Sequence, residues 1–112
     1  MENISWQDFE KVELCTGTIV DVQDFSEARK PAYKLIIDFG EEIGTKKSSA
    51  QITHLYTKNE LLGKQIIAVV NFPVKQIATF MSECLVTGFV QKNGSVVLAV
   101  PDKKVDNGLK LV

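Results

Sequence analysis

Long apolar runs are absent from this sequence, and histidine, cysteine and proline are scarce. No uninterrupted apolar stretch exceeds five residues, as in 66–70, whereas a membrane-spanning helix needs about 20. The amino-terminal Met1-Glu2-Asn3 has neither the basic region nor the apolar run of a secretory signal. The sequence therefore predicts a cytoplasmic protein that does not insert into a membrane.

The residues of common catalytic and metal sites are also missing. His54 is the only histidine, so a Cys/His metal cage is excluded and a histidine-based triad would depend on one residue. Segment 40–44 lacks the glycines, lysine and hydroxyl of a phosphate-binding loop. Cys15 and Cys84 stand alone in apolar surroundings, as buried thiols of a cytosolic core do. We expect a non-enzymatic protein without a metal or other cofactor.

The composition indicates one globular domain over residues 1–112. Hydrophobic residues make up 45% and charged residues 24% of the chain, both near the average for folded proteins. The net charge is only −1, but its signs are unevenly distributed. Residues 1–42 carry four basic and ten acidic side chains, whereas residues 43–112 carry nine lysines and four acids. Such asymmetry favours either a basic face or an ordinary mixed surface.

Strand patterns dominate the chain. Residues 12–22 are rich in β-branched side chains, with Gly17 inside the run as a sign of a bulge or a bend. Residues 33–39 alternate between apolar and polar positions, the period of a half-buried strand. Residues 64–72 predict a buried strand that ends at Pro73, and Asn93-Gly94 predicts a hairpin with positive φ at both residues.

Short helical segments and less regular regions accompany these strands. Residues 4–12 predict one or two helical turns, with Ser5 as the N-cap and Asp8 three residues later. Residues 59–62, before Gly63, predict another turn. Residues 46–52 fit a short third strand that leads into a loop or a helical turn, and residues 74–81 fit a helical turn or an ordered loop better than a strand. Together, these segments predict a mainly all-β fold. The expected architecture is a five-stranded OB-fold barrel with short helical turns and a terminal extension, and a small sandwich is the alternative.

Two segments combine cations with hydrogen-bonding or aromatic side chains. Residues 46–51 place two lysines beside two serines, which suits phosphate and sugar contacts. Residues 71–75 place an amide, a phenylalanine and a lysine after a buried strand, which suits hydrogen bonding, stacking and charge. A simple turn and a simple strand end are the alternative readings of these two segments.

The sequence resembles the family of free-standing tRNA-binding OB domains, and within it the members described as secretion-related chaperones. The resemblance is carried by residues 16–20, 28–35, 37–40, 48–53, 62–73, 77–78, 82–83 and 101–102. It implies a homodimer that recognises tRNA by shape, and a chaperone that binds unfolded polypeptides or preproteins and assists export. A purely polypeptide-binding secretion chaperone, with vestigial tRNA binding, is the alternative.

The family motifs assign expected roles to residues of this chain. The implied tRNA-contact residues are Arg29, Lys34, Ser48, Asn71, Lys75, Ser82 and Glu83. The terminal segments 1–12 and 101–112 are expected to contribute to the dimer. The residues expected at the dimer interface or in a peptide-binding groove are Trp6, Phe9, Phe72, Ile77, Phe80, Leu109 and Leu111. Two departures concern the binding loop, since Lys75 stands where arginine is usual and Thr79 where glycine is common.

Overall fold

Residues 1–112 are all described by a computed structural model of the chain. The helices are α1 (Trp6–Glu10), α2 (Gly40–Ile43) and α3 (Lys58–Leu61), and the strands are β1 (Leu14–Asp24), β2 (Tyr33–Asp38), β3 (Thr45–Ala50), β4 (Gln65–Val69), β5 (Lys75–Ile77), β6 (Phe80–Ser82), β7 (Leu85–Val86), β8 (Gly88–Val90) and β9 (Val96–Leu98). None of the helices is long and apolar enough to span a membrane.

Five strands form one curved antiparallel sheet in the order β3-β2-β1-β4-β7. The long strand β1 belongs to both halves, because its first part pairs with β4 and its second part with β2. The two edge strands, β3 and β7, approach each other, and the Glu83 amide donates to the Lys47 carbonyl across the gap (2.8 Å). The sheet is therefore a nearly closed five-stranded barrel, as predicted, and not a sandwich.

The core fills the barrel from alternate positions of its strands. Along β2, Tyr33, Leu35 and Ile37 are buried, while the residues between them are half-exposed, as the period of two requires. From α3, Leu61 is fully buried in the same core. Cys15 and Cys84 are both buried and free, and burial raises the pKa of the Cys84 thiol to about 11.

Gly17 lies where β1 crosses β2 at close range. A Cβ atom at this position would lie 2.6 Å from Ile37 Cγ2 and 2.7 Å from the Phe39 ring, distances that no side chain tolerates without movement. The bulge lies elsewhere, since the β1–β2 register skips Val20. Of the two expectations for Gly17, a bulge or a bend, the bulge does not fall at the glycine: the extra residue comes three residues later, and Gly17 itself permits close packing.

The terminal segments pack side by side. Ser5 caps α1 in a capping box with Asp8, which confirms the prediction for this helix. The carboxyl-terminal tail adds a single bridge to β1 between Lys110 and Cys15. Lys110 Nζ donates to the Glu10 carbonyl at the end of α1 (2.9 Å), so the first and last residues of the chain share one surface.

Two local predictions were wrong. Residues 74–81 form the hairpin β5–β6, in which Ala78 adopts a φ of 54°. Strands of three residues are too short to show a period, and a left-handed turn residue is rarely alanine. The predicted hairpin forms as β8–β9, but of Asn93 and Gly94 only Gly94 has a positive φ. The loop between Gln91 and Ser95 has three residues, and a hydrogen bond from the Gln91 amide to the Ser95 carbonyl closes it. A loop of this length needs a positive φ only at its last residue.

Candidate nucleic-acid interface

Two lysines and two phenylalanines cluster on the outer face of β2 and β3. Lys34 Nζ lies 4.9 Å from the centre of the Phe25 ring and 5.6 Å from that of Phe80. Lys47 Nζ lies 5.5 Å from the Phe80 ring, and the two rings are 5.4 Å apart at a tilt of 60°. Cation–π contacts of this length hold an ammonium in place while leaving part of it in water. We refer to Phe25, Lys34, Lys47 and Phe80 as the lysine–aromatic patch.

The strand register creates the patch. On β2, Lys34 lies between the buried Tyr33 and Leu35, so its side chain points away from the core. On β3, Lys47 pairs with Ile36, two residues further along β2. Side chains two apart on one face of a sheet are neighbours, so both ammonium groups reach the Phe80 ring.

Lys75 extends the basic surface beyond the patch. Across β2 and β3, Lys34 pairs with Ser49. The Ser82 hydroxyl accepts a hydrogen bond from the Ser49 amide (3.1 Å), and Ser82 pairs with Lys75 across the β5–β6 hairpin. Arg29 is exposed on the loop before β2. The expected cations at 29, 34 and 75 therefore stand on accessible surface, and Lys75 is connected to the patch through the two serines.

Three of the expected tRNA contacts instead close the barrel. Ser48 is fully buried, and its hydroxyl donates to the Cys84 carbonyl (3.0 Å). The Glu83 carboxylate accepts from the Lys47 amide (2.9 Å), and Ser82 accepts from Ser49. β3 is an edge strand of the sheet, so the backbone amides on its outer side have no neighbouring strand to pair with. The side chains of Glu83 and Ser82 accept hydrogen bonds from two of these amides. As the chain is folded, Ser48 has no exposed atom to offer an RNA.

Removing the Glu83 side chain is expected to weaken the closure of the barrel beside β3. Glu83→Ala leaves the half-buried Lys47 amide without its acceptor, and an unsatisfied group of this kind costs about 1–2 kcal/mol. Urea unfolding would show the loss as a lower midpoint with an unchanged slope. Glu83→Gln keeps an acceptor oxygen and should retain most of the stability; equal losses in both variants would contradict a role in barrel closure.

Asn71 also has a structural role. Its Oδ1 accepts from the Glu13 amide (3.1 Å) and its Nδ2 donates to the Lys11 carbonyl (2.7 Å). The side chain therefore ties the segment between α1 and β1 to the end of β4. An amide has further donor and acceptor capacity, but replacing Asn71 would also loosen the amino-terminal segment, so this residue is a poor probe of RNA contact.

A groove runs along the β5–β6 hairpin, and Ser49, Lys75 and Ser82 of the extended basic surface line it as well. It has a volume of about 980 Å³. Its lining is mainly apolar and includes Ile52, Phe72, Val74, Ile77, Val86 and Val90. Phe72 and Val74 are each 54% exposed. Of the residues expected in a peptide-binding groove, Phe72 and Ile77 line it, whereas Phe80 packs on Phe25 in the lysine–aromatic patch.

The sequence alone did not assign Phe25 and Lys47 to the site. Lys47 lies in segment 46–51, whose lysines and serines suit phosphate and sugar contacts, but the family motif assigns the contact to Ser48. Nothing in the sequence shows which residues of β3 point outward. Phe25 precedes a loop and is buried, and only the fold brings it to Phe80. The signal available in the sequence was the pairing of cations with aromatics near the ends of predicted strands.

A small OB-type barrel with cations and aromatic rings on its outer sheet face is the architecture of a nucleic-acid-binding domain. A family model described as "Putative tRNA binding domain" matches residues 14–110, and the chain belongs to this tRNA-binding domain family.

Solved structures and curated sequences give the relatives. The chain is similar to the chaperone CsaA of Bacillus anthracis str. Ames, with a TM-score of 0.93 and 48% identity over 99% of this chain and 100% of that one. It is similar to the CsaA chaperone protein of Picrophilus torridus, with a TM-score of 0.91 and 54% identity over 98% and 100% of the two chains. The methionine–tRNA ligase of Thermococcus onnurineus is 30% identical over 99% of this chain, which spans only 15% of that enzyme's length.

Proposed function

We propose that this protein is a non-catalytic tRNA-binding protein whose lysine–aromatic patch contacts the RNA. The observation that carries the proposal is the convergence of Lys34 and Lys47 on the rings of Phe25 and Phe80. Membership of the tRNA-binding domain family supports tRNA as the ligand. Membership of a tRNA-binding domain family also supports the cytoplasmic location expected from the sequence.

The chemistry of the patch suits recognition by shape. The ammonium groups of Lys34 and Lys47, with Lys75 and Arg29 beside them, meet phosphates, and phosphate contacts position a nucleic acid without reading its sequence. The half-exposed ring of Phe80, packed on the buried Phe25, offers apolar surface to an unpaired base. The small number of cations predicts modest binding that weakens as salt is added.

Salt-dependent binding of tRNA tests this function. Unmodified protein should bind tRNA saturably at low salt, and log K should fall linearly with log salt concentration, with a slope near −0.7 to −0.9 per phosphate contact. A duplex DNA of similar length serves as the control for charge alone. Absence of saturable tRNA binding at low salt would contradict the proposal.

A second function, holding unfolded polypeptide for export, is favoured by the apolar groove. Its volume of about 980 Å³ lies in the range of ligand sites, and Phe72 and Val74 expose apolar surface along it. Two solved structures to which this chain is similar are named as chaperones. Preproteins with extended apolar segments are the clients that such a groove would accept.

The two functions respond differently to salt. Apolar contacts are not weakened by salt, whereas phosphate contacts are weakened steeply. Suppression of aggregation of an unfolded client should therefore persist at a salt concentration that abolishes tRNA binding. Val74→Ser removes apolar surface without adding charge beside Lys75, so it should reduce the protection of the client and spare tRNA binding; the reverse pattern would contradict the assignment of the groove.

A homodimer formed through the two termini completes the proposal. Trp6 is 83% exposed, and Ile4, Leu109 and Leu111 are exposed near it, on the surface where α1 and the tail lie together. Apolar patches of this kind mark protein–protein interfaces, and a two-fold dimer would cover the same patch on both chains. Phe9 is only half-exposed beneath them.

Light scattering tests the dimer. The mass should be twice the 12.4 kDa of one chain at micromolar concentration. Trp6→Glu should shift the mass toward one chain without unfolding the protein, because the side chain is exposed in the single chain. Phe89→Glu is the matched control, since Phe89 is also exposed but lies on β8. A monomeric mass for the unmodified protein would overturn the interface.

A further inference from the structure

A carboxylate of the same chain lies against the central lysine of the patch. Glu27 Oε2 is 3.3 Å from Lys34 Nζ. On its other oxygen, Glu27 accepts a hydrogen bond from the Ser26 hydroxyl (2.7 Å). The Ser26 hydrogen bond, followed by the contact with Lys34, lowers the pKa of the Glu27 carboxyl. At neutral pH the group that faces Lys34 is therefore the charged carboxylate.

Lys34 has little freedom to turn its charge elsewhere. Its ammonium is held 4.9 Å from one ring and 5.6 Å from the other, and its side chain is 25% exposed. An RNA phosphate that binds Lys34 must reach the same ammonium that Glu27 already contacts. A carboxylate and a phosphate at that distance from one cation repel each other, so binding the phosphate favours departure of Glu27.

Glu27 is free to leave without disturbing the barrel. It lies on the segment between β1 and β2, outside any helix or strand, and its side chain is 48% exposed. Its side-chain partners are Ser26, the preceding residue, and Lys34. Rotation of the side chain into water breaks the ion pair and leaves the backbone hydrogen bonds of β2 in place.

We propose that Glu27 occupies the position of an RNA phosphate on Lys34 and acts as an intramolecular competitor that lowers the affinity for tRNA. This inference rests on the proposed tRNA-binding function. Glu27 keeps Lys34 ordered and neutralised when no RNA is bound, and a phosphate displaces it. The consequence is that binding is weaker and less dependent on salt than the number of cations alone implies.

Glu27→Gln tests the competition, because glutamine keeps the size of the side chain and removes its charge. The variant should bind tRNA about 2- to 5-fold more tightly at low salt, the range expected for an exposed ion pair. The slope of log K against log salt should steepen by up to about 0.7–0.9, equivalent to one additional phosphate contact. A purely structural role for Glu27 would not change this slope.

Two further variants locate the effect. Glu42→Gln is the control for net charge, because Glu42 is exposed on α2, beyond the opposite end of β2; it should give a smaller gain. In a Lys34→Gln background, Glu27→Gln should give no gain beyond that of the control. Unchanged or weaker binding by Glu27→Gln, or a gain that persists without Lys34, would overturn the competition. Absence of tRNA binding by the unmodified chain would instead remove the proposed function and the inference with it.

Discussion

Replacing Lys34 and Lys47 together with glutamine is expected to weaken tRNA binding by roughly 5- to 30-fold at 0.1 M salt. Each unopposed phosphate contact contributes a factor of about 5 to 8 at that salt, since log K changes by about 0.7–0.9 for each tenfold change in salt concentration. The Glu27 ion pair offsets about 2- to 5-fold of the contribution of Lys34. Both ammonium groups lie over the Phe80 ring, so we expect both to meet phosphates of one RNA segment. The salt slope should become shallower by about 0.7–1.8, the lower value applying where Glu27 offsets Lys34 fully.

The matched control for this pair is Lys103→Gln with Lys104→Gln. Both residues are exposed, and they precede the segment around Asn107 that packs on β1 and β4. The change in net charge is the same, but the patch is intact. Equal losses from the two double variants would show that overall charge and not the patch determines binding.

Gly17→Ala is expected to lower the free energy of unfolding by about 1–3 kcal/mol, the usual cost of an added methyl group in a packed core. The new Cβ would lie 2.6 Å from Ile37 Cγ2 and 2.7 Å from the Phe39 ring. Both neighbours are fully buried, so neither has space into which to move. Chemical denaturation measures the loss directly, and Gly17→Val should lose more.

Phe39→Leu in the Gly17→Ala background tests the cause of this loss. Leucine withdraws the ring carbon that the new methyl group contacts. The double variant should therefore lose less than the sum of the two single variants, because the second change relieves the clash created by the first. Simple additivity would show that Gly17 matters for its backbone conformation and not for the close approach of the strands.

The parts of the fold with a regular pattern were predictable from the sequence. β2 alternates Tyr33, Leu35 and Ile37 with polar or half-exposed residues, and the structure confirms this strand and its inward face. The β5–β6 hairpin carried no such signal, since each strand has three residues and the turn is made by Ala78. The conformation of so short a segment depends on its contacts in the folded chain, and these leave no periodic pattern in the sequence.

The site was predictable in chemistry but not in detail. Cations at 34 and 75 were expected from the family resemblance, and both are on accessible surface. The family motif assigned Ser48, which the structure buries, and it left out the neighbouring Lys47, because β3 has no clear apolar alternation that shows which residues face the core. The pairing of Ile36 with Lys47 and the buried position of Ser48 become visible only when the barrel closes.

Ultraviolet crosslinking of tRNA to the unmodified protein, with the attachment sites mapped by mass spectrometry, tests the central claim most directly. The patch places Phe80 and Phe25 beside the two lysines that meet the RNA. The expected result is attachment at Phe80, which is half-exposed, and its loss when Lys34 and Lys47 are both replaced. Attachment confined to the β8–β9 hairpin or to the carboxyl-terminal tail would contradict binding through the lysine–aromatic patch.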